Sequence, residues 1–296
     1  MSIDTGPAAW RQTSNQNRMI DFQNAAPSVG PVKLAFFGSS AFRVTAPSGL
    51  TIMIDPWRNL PTGKWDWYFH DFPLTAVDIG VSTHAHFDHD ALHLLDASVL
   101  LDRLIGTYEF ADVKIIGIAD KHAIDPTHAT YDFHKINSYF GGQNLTPPDN
   151  ARSWDNCLTI VETGGLRILH WGDNRHNPPE DIWDRIGPVD ILLMPIDDSQ
   201  HVMGDPMVAS VIERIAPMVV IPHHYYTWNV VQRQSTLLPA EEWLNKQSQP
   251  VRRLDGAETV YSKASLPRDL TIDYFGDHVA FDVDAWHKAN GLQVGL

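Results

Sequence analysis

The stretch of sequence that decides the fold runs from residue 77 to residue 90 and reads VDIGVSTHAHFDHD. Its apolar beginning predicts a buried strand over residues 77–82, and this strand leads directly into His84, His86, Asp88 and His89. In an extended or tightly turned segment, side chains two positions apart point to the same side, so the rings of His84 and His86 can bind one cation. Asp88 and His89 then face a neighbouring position. Imidazole nitrogen and carboxylate oxygen together suit zinc, and manganese or iron would also accept them.

A structural explanation of the same residues is a polar loop in which Asp88 or Asp90 caps a helix. A helix is indeed predicted to start over residues 91–95. Three histidines and one aspartate within six residues, at the end of a buried strand, are nevertheless unusual for a capping loop. Metal binding is therefore the preferred interpretation.

Short β-rich runs and one amphipathic helix lie on both sides of this stretch. Runs at residues 32–37, 41–46 and 50–54 predict consecutive antiparallel strands. Further elements are predicted as strands over 113–118, 189–194, 218–221 and 270–275, a hairpin over 158–171 turning at 163–165, a helix over 206–215 and a short helix near Trp286. Two successive blocks of strands with helices beside them indicate an α/β fold, a four-layer αββα sandwich of two facing sheets with helices outside.

The chain divides into three predicted parts. Residues 1–30 form an N-terminal arm without a clear period, which could pack on the body or on a second subunit of a homo-oligomer. Residues 31–265 form the main domain, to which we assign the catalytic chemistry, and no linker separates its two blocks of strands. Residues 266–296 are a C-terminal appendage on the same domain.

Composition limits the classes of partner. Lys and Arg number 22 against 36 Asp and Glu, so the formal net charge is 22 minus 36, or −14, which disfavours nucleic acid and anionic membrane surfaces. The single cysteine, Cys157, excludes an internal disulfide and a site built from several thiolates. No apolar run approaches the roughly 18 residues that span a bilayer, and the polar start lacks the apolar centre of a secretory signal. We expect a cytoplasmic protein with a small-molecule substrate.

The sequence resembles the metallo-β-lactamase superfamily, whose signature is His, any residue, His, any residue, Asp, His. The signature matches at His84, His86, Asp88 and His89, and the resemblance continues in order over about residues 32–262. It implies a hydrolase with two divalent metal ions, zinc first and manganese or iron as alternatives. The branch most resembled is that of the ascorbate-6-phosphate lactonase-like hydrolases.

The resemblance also implies three later ligands. A histidine after the strand at 113–118 should be the next ligand, and His122 has this position, with His128 and His134 as nearby rivals. A carboxylate that bridges both metals should follow the next hairpin, which points to Asp173. The last ligand should be a histidine at the end of the strand over 218–221, where His223 and His224 are the candidates. The branch pattern of Pro, any residue, His, Tyr favours His224.

Several neighbouring residues are candidates for supporting roles. His223 would lie beside the ligands or in the pocket wall, and Asp197, Asp198 and His201 match a pocket loop of the branch. The branch usually has Gly-His after its first strand, whereas this chain has Gly38-Ser39, so a pocket contact differs.

In the implied mechanism, two cations share a water and lower its pKa, and Asp88 orients the resulting hydroxide or passes its proton on. His223, His201 or Tyr225 could assist the leaving group. The implied substrates are small esters, lactones, amides or phosphodiesters. The aromatic loop over residues 57–70 could form a pocket for a flat group or could simply pack in the core. The alternatives are a protein that binds metal as a sensor without turnover, and a nuclease of the same superfamily.

Overall fold

Two large β-sheets organise the fold in the computed structural model, which describes residues 29–63, 66–123, 156–198 and 202–291. The described strands, in chain order, are β1 (Val32–Phe36), β2 (Phe42–Thr45), β3 (Thr51–Ile54), β4 (Thr75–Ala76), β5 (Ile79–Ser82), β6 (Leu95–Asp96), β7 (Val99–Asp102), β8 (Gly106–Phe110), β9 (Val113–Asp120), β10 (Asn156–Thr163), β11 (Leu166–His170), β12 (Ile191–Pro195), β13 (Val219–His223), β14 (Val251–Arg253), β15 (Glu258–Tyr261) and β16 (Thr271–Tyr274). The described α-helices are α1 (Glu180–Ile186), α2 (Asp205–Ile215), α3 (Glu241–Asn245) and α4 (Val283–Ala289).

The first sheet has six strands in the order β15-β1-β2-β3-β5-β7. Strands β1, β2 and β3 are antiparallel neighbours, which confirms the prediction from their short β-rich runs. Strands β3, β5 and β7 are parallel, so β5 runs through the interior of the sheet. All four residues of β5 are buried, as its apolar composition predicts.

The second sheet has eight strands in the order β14-β16-β13-β12-β11-β10-β9-β8. Strands β10 and β11 form the predicted hairpin, and Gly164 and Gly165 between them have φ values of 58° and 77°. Glycine adopts positive φ angles without a steric penalty, which explains why the turn falls at these two residues. From β11 to β13 the strands are parallel, and their carboxyl ends meet at one edge of the sheet.

The two sheets face each other across one apolar core. Leu34 and Ile52 from the first sheet and Ile160 and Ile191 from the second belong to the same buried cluster. Helix α2 covers the outside of the second sheet, and its buried residues Val208, Val211 and Ile212 have the spacing expected of an amphipathic helix. The predicted four-layer αββα sandwich is therefore confirmed. Among the described helices, none combines the length and apolarity needed to cross a membrane.

Aromatic side chains fill the outer layer on the first sheet. Trp57 and Tyr68 stack with ring centroids 4.2 Å apart, and Trp286 of α4 packs edge-on against Trp57 at 5.7 Å. All of these rings belong to a second buried cluster, which covers the outer face of β1 to β3. Trp57 and Tyr68, two residues of the described part of the aromatic loop, therefore pack in this buried cluster.

The helix predicted from residue 91 is wrong. Only a single 3-10 turn, Leu92–Leu94, forms, and the chain continues at once into β6, which pairs with β4. The carboxylate of Asp90 does not cap this turn, because it accepts two hydrogen bonds from Arg58, at 2.7 and 3.0 Å. Leu92 and Leu95 are instead buried against the first sheet, so tertiary packing decides the local conformation.

The segment predicted as a C-terminal appendage contributes to the second sheet and to the outer layer on the first sheet. Its strand β16 lies within the second sheet between β13 and β14, and α4 packs on the outer face of the first sheet. The predicted arm falls almost entirely outside the described residues.

Candidate metal centre

Four strands deliver the predicted ligands to one edge of the sandwich. Strand β5 is followed by the His84–His89 segment, β9 by His122, β11 by Asp173 and β13 by His224. Because β11, β12 and β13 are parallel, the loops at their carboxyl ends are neighbours. Side chains far apart in the sequence therefore meet in space.

The structure brings together all seven residues predicted as ligands. They form two groups in which potential ligand atoms lie within 4.8 Å of one another: His84, His86, His122 and Asp173 in the first group, and Asp88, His89, Asp173 and His224 in the second. Asp173 belongs to both groups. His128 and His134, the rivals of His122, lie outside the described residues.

The carboxylate of Asp173 is at the middle of the cluster. Its oxygens are 3.3 Å from Nε2 of His122, 3.4 Å from Nε2 of His89, 3.7 Å from Nε2 of His224 and 3.8 Å from Nε2 of His84. Imidazoles thus face the carboxylate from several sides. The carboxylate is thus placed to serve as a potential ligand in both groups.

Hydrogen bonds at Nδ1 orient three of these imidazoles. Nδ1 of His89 donates to Oδ2 of Asp55 at 2.7 Å, and Nδ1 of His122 donates to the carbonyl oxygen of Ala123 at 2.8 Å. Nδ1 of His84 lies 3.0 Å from the hydroxyl oxygen of Thr83. Because this hydroxyl donates its proton to Asp55, its oxygen accepts a hydrogen bond from the His84 ring. With the proton held on Nδ1, each ring presents the lone pair of Nε2 to the centre.

Asp55 is a functional residue that sequence reasoning missed. Its side chain is fully buried, and its two oxygens also accept hydrogen bonds from the backbone N–H and the hydroxyl of Thr83, both at 2.7 Å. Its φ of 53° is rare outside glycine. The signal available in the sequence was an aspartate at the end of β3, directly before Pro56.

The donor set fits a pair of divalent cations. Nε2 of His84 and Nε2 of His89 are buried and make no hydrogen bond within the described part of the chain. A buried polar atom left in this state costs about 1–3 kcal/mol, and a cation would satisfy it. Mixed nitrogen and carboxylate ligands suit zinc and also manganese or iron. His86 is exposed, so this side of the centre is open to solvent.

Charge coupling within the cluster perturbs its pKa values. Burial lowers the pKa of His89, but the neighbouring carboxylates, Asp173 foremost, outweigh it and hold that pKa well above the ordinary value. Burial opposes the charge of His224 as well, yet Asp173 and other carboxylates raise its pKa to about 10. Burial would raise the pKa of Asp173, but His224 and His89 hold it well below its usual range. Burial and the charge of His89 lower the pKa of His84.

Two residues predicted to assist the leaving group are placed elsewhere. Tyr225 is fully buried in the core, with its ring centroid 5.6 Å from that of Phe36, and its hydroxyl donates a hydrogen bond to the carbonyl oxygen of Gly276 at 2.7 Å. His223 is also fully buried, with Nδ1 3.1 Å from the Ser40 hydroxyl. Neither side chain has surface that a substrate could reach, because both are completely buried. His201 lies outside the described residues.

Other predicted pocket residues do lie beside the ligands. Asp197 is buried with Oδ2 3.7 Å from Nδ1 of His224, whereas Asp198 is partly exposed. Trp67 packs edge-on against Phe87 at 5.1 Å, and its ring is 6.4 Å from that of His224.

Comparison with known proteins identifies the family. Residues 33–224 match the family described as the beta-lactamase superfamily domain. A UPF0173 metal-dependent hydrolase of Pyrococcus furiosus is 30% identical over 210 residues, which are 67% of this chain and 86% of that protein. One from Aeropyrum pernix is 28% identical over 211 residues, 67% of this chain and 84% of its own length. A solved structure from Thermotoga maritima, described as a member of the metallo-β-lactamase superfamily, has a TM-score of 0.54 at 22% identity and covers 82% of this chain and 99% of its own. With the fold, the signature and the family match in agreement, the chain belongs to the metallo-β-lactamase superfamily.

Proposed function

We propose that this protein is a hydrolase in which two divalent cations, zinc in the first instance, act together on a small ester, lactone, amide or phosphodiester. The observation that carries the proposal is the position of Asp173, whose carboxylate belongs to both groups of potential ligands. A carboxylate shared in this way would be a ligand in both groups, and the other three residues of each group would complete the two sites. The relatives named metal-dependent hydrolases support the same class of reaction.

When bound, such a pair of cations polarises a carbonyl or phosphoryl oxygen and lowers the pKa of a water to about 7. The chain itself supplies fixed groups around the reacting atoms. Oδ2 of Asp88 is 3.1 Å from Nε2 of His224 and is buried, a position from which the carboxylate can accept a proton from an attacking water. Asp55 fixes His89 and Thr83 in advance, so little reorganisation is needed during the reaction.

The substrate approaches from the open side of the centre in this proposal. His86 is exposed and His122 is partly exposed, whereas the other ligands are buried. Phe87 lies half-buried between ligand residues, and Trp228 is 49% exposed beyond the last ligand. We expect a small substrate with an apolar part next to its scissile bond. The net charge of −14 argues against nucleic acid as the substrate.

The proposal is tested by metal analysis and a substrate panel. Protein purified without chelator should contain about two metal atoms per chain and should hydrolyse members of a panel of lactones, esters, amides and phosphodiesters. A chelator should abolish the activity. His84→Ala and Asp173→Ala should each lose metal and activity, while His93→Ala, a change at an exposed histidine near the same segment, should keep both.

Four outcomes would contradict this assignment. A wild-type protein that takes up no metal would exclude it, as would full activity in the protein carrying both His84→Ala and Asp173→Ala. Two bound metals without turnover across the panel would favour a metal-dependent binding or sensor protein, and cleavage of RNA or DNA alone would favour a nuclease.

A further inference from the structure

The turn between β1 and β2 reaches the opposite sheet directly beneath the candidate metal centre. Ser39 and Ser40 form the middle of this turn, and both are fully buried. Ser39 has a φ of 52°, in the left-handed region that non-glycine residues rarely adopt. Its hydroxyl oxygen accepts a hydrogen bond from Tyr68 at 2.8 Å. A strained, buried turn of this kind persists only where surrounding contacts determine its conformation.

His170, the last residue of β11, links this turn to the loop of Asp173. The backbone N–H of Gly172 donates to Nδ1 of His170 at 3.0 Å, and Nε2 of His170 donates to the carbonyl oxygen of Ser40 at 2.8 Å. The ring is therefore neutral, carries its proton on Nε2, and uses both nitrogens. Because Gly172 directly precedes Asp173, the imidazole connects the backbone of the shared carboxylate to the turn.

The same turn also holds His224. The backbone N–H of His224 donates to the carbonyl oxygen of Ser39 at 2.8 Å. His224 itself has a φ of 58°, again in the left-handed region. His223 adds a contact from Nδ1 to the Ser40 hydroxyl at 3.1 Å and packs beside His170, with ring centroids 4.7 Å apart. Residues 39 and 40 thus connect the loops after β11 and β13.

We propose that His170 is a positioning residue that, through Ser40, sets the spacing between Asp173 and His224. The inference rests on the proposed function, since it concerns the two-cation centre. Both ligands belong to the group that includes Asp88 and His89, and Nε2 of His224 is 3.7 Å from Oδ2 of Asp173. Loss of the link should therefore weaken binding of the second cation more than that of the first, whose other ligands come from the loops after β5 and β9.

Three substitutions at position 170 separate the two hydrogen bonds. His170→Phe fills the space but removes both bonds. His170→Asn can place its amide oxygen near the position of Nδ1 and keep the bond from Gly172, whereas His170→Gln can place its amide nitrogen near the position of Nε2 and keep the bond to Ser40. The link between the sheets depends on the Ser40 bond, so the glutamine variant should be rescued and the asparagine variant should not.

Metal-free protein is titrated with Co²⁺. Binding is monitored by the visible absorption of the bound Co²⁺, and the amount bound is measured by elemental analysis. Wild-type protein should take up two equivalents. His170→Phe should bind the second equivalent about 10–100-fold more weakly, the range seen when groups that orient metal ligands are removed. His170→Gln should recover most of that affinity. Equal affinity for the second cation in wild type and His170→Phe would overturn the proposal. Equal affinity for the second cation in the Asn and Gln variants would also overturn it. The comparison of these two variants decides the matter if His170→Phe does not fold.

Thr159→Val is the matched control. Thr159 is the partner of His170 in the β10–β11 pair and is fully buried, and its hydroxyl has no hydrogen-bond partner among the residues described. The substitution should leave both cation affinities unchanged. A wild-type protein that binds fewer than two equivalents would contradict the proposed function itself, whereas two equivalents with an unaffected His170→Phe would contradict only the positioning role.

Discussion

Gly172→Ala tests whether the close approach of two ligand-bearing loops is a structural requirement. Gly172 has a φ of 56°, and a left-handed conformation costs an alanine about 1–2 kcal/mol. An added Cβ would also lie 2.8 Å from the hydroxyl oxygen of Thr83 and 2.9 Å from Oδ1 of Asn156. Neither neighbour can move freely, because the Thr83 hydroxyl is hydrogen-bonded to Asp55, and Nδ2 of Asn156 is hydrogen-bonded to Asn174.

Overpacking of this kind costs about 1–3 kcal/mol, so Gly172→Ala should lower the free energy of unfolding by about 2–5 kcal/mol in total. Gly165→Ala is the control, since Gly165 also has a positive φ, 77°, but an added Cβ would meet nothing within 4 Å. It should cost only the conformational part, about 1–2 kcal/mol. Urea unfolding in the presence of chelator measures both values without the contribution of bound metal. Equal destabilisation in the two variants would refute the reasoning.

Three further predictions concern other buried groups. Asp55→Asn removes the carboxylate that accepts a hydrogen bond from His89. We expect about 10–100-fold weaker metal binding, measured in competition with a chromophoric chelator. Unchanged affinity would exclude an orienting role for Asp55. Burial raises the pKa of Cys157 to about 11, so below that pH the thiol is mostly neutral, and labelling by a thiol reagent at pH 8 should be slow in the native protein and fast in denaturant. Tyr225→Phe should lower the free energy of unfolding by about 1 kcal/mol through loss of its bond to Gly276 and leave kcat unchanged; a large fall in kcat at unaltered stability would return Tyr225 to the active site.

The elements and ligands with strong local signals could be predicted from the sequence. The apolar run of β5 and the histidines that follow it are contiguous, so their strand and their metal-binding character are visible in one stretch. The hairpin turn at residues 163–165 and helix α2 have equally local signals, in two glycines and in a helical spacing of apolar residues. The later ligands, His122, Asp173 and His224, depended on family resemblance, because a single histidine after a strand carries no chemistry by itself.

Elements with weak local signals were missed. Strands β7 and β8 lie at the edges of the two sheets. Strand β8 is mostly exposed and shows no apolar pattern that predicts a strand, whereas β7 is apolar but only four residues long, with none of them fully buried. Residues 91–95 could begin a helix by composition, but burial of Leu92 and Leu95 on the first sheet outweighs that weak preference. Helix propensities differ by less than 1 kcal/mol per residue among most residue types, whereas burying one leucine side chain is worth about 1.5–3 kcal/mol.

The sequence by itself determined the sheet-forming runs, the exclusion of disulfides, and the concentration of imidazoles behind one buried strand, because each of these depends on neighbours along the chain. Only the tertiary structure decided that Asp173 lies between two groups of ligands, that Asp55 orients His89, and that Tyr225 points into the core. These relations depend on distances between residues that are far apart in the chain. The hydrogen-bonded residues His89 and Asp55 are 34 positions apart, and His224 and Asp88 are 136 positions apart. Such distances are set by strand order and by the direction in which each strand end faces.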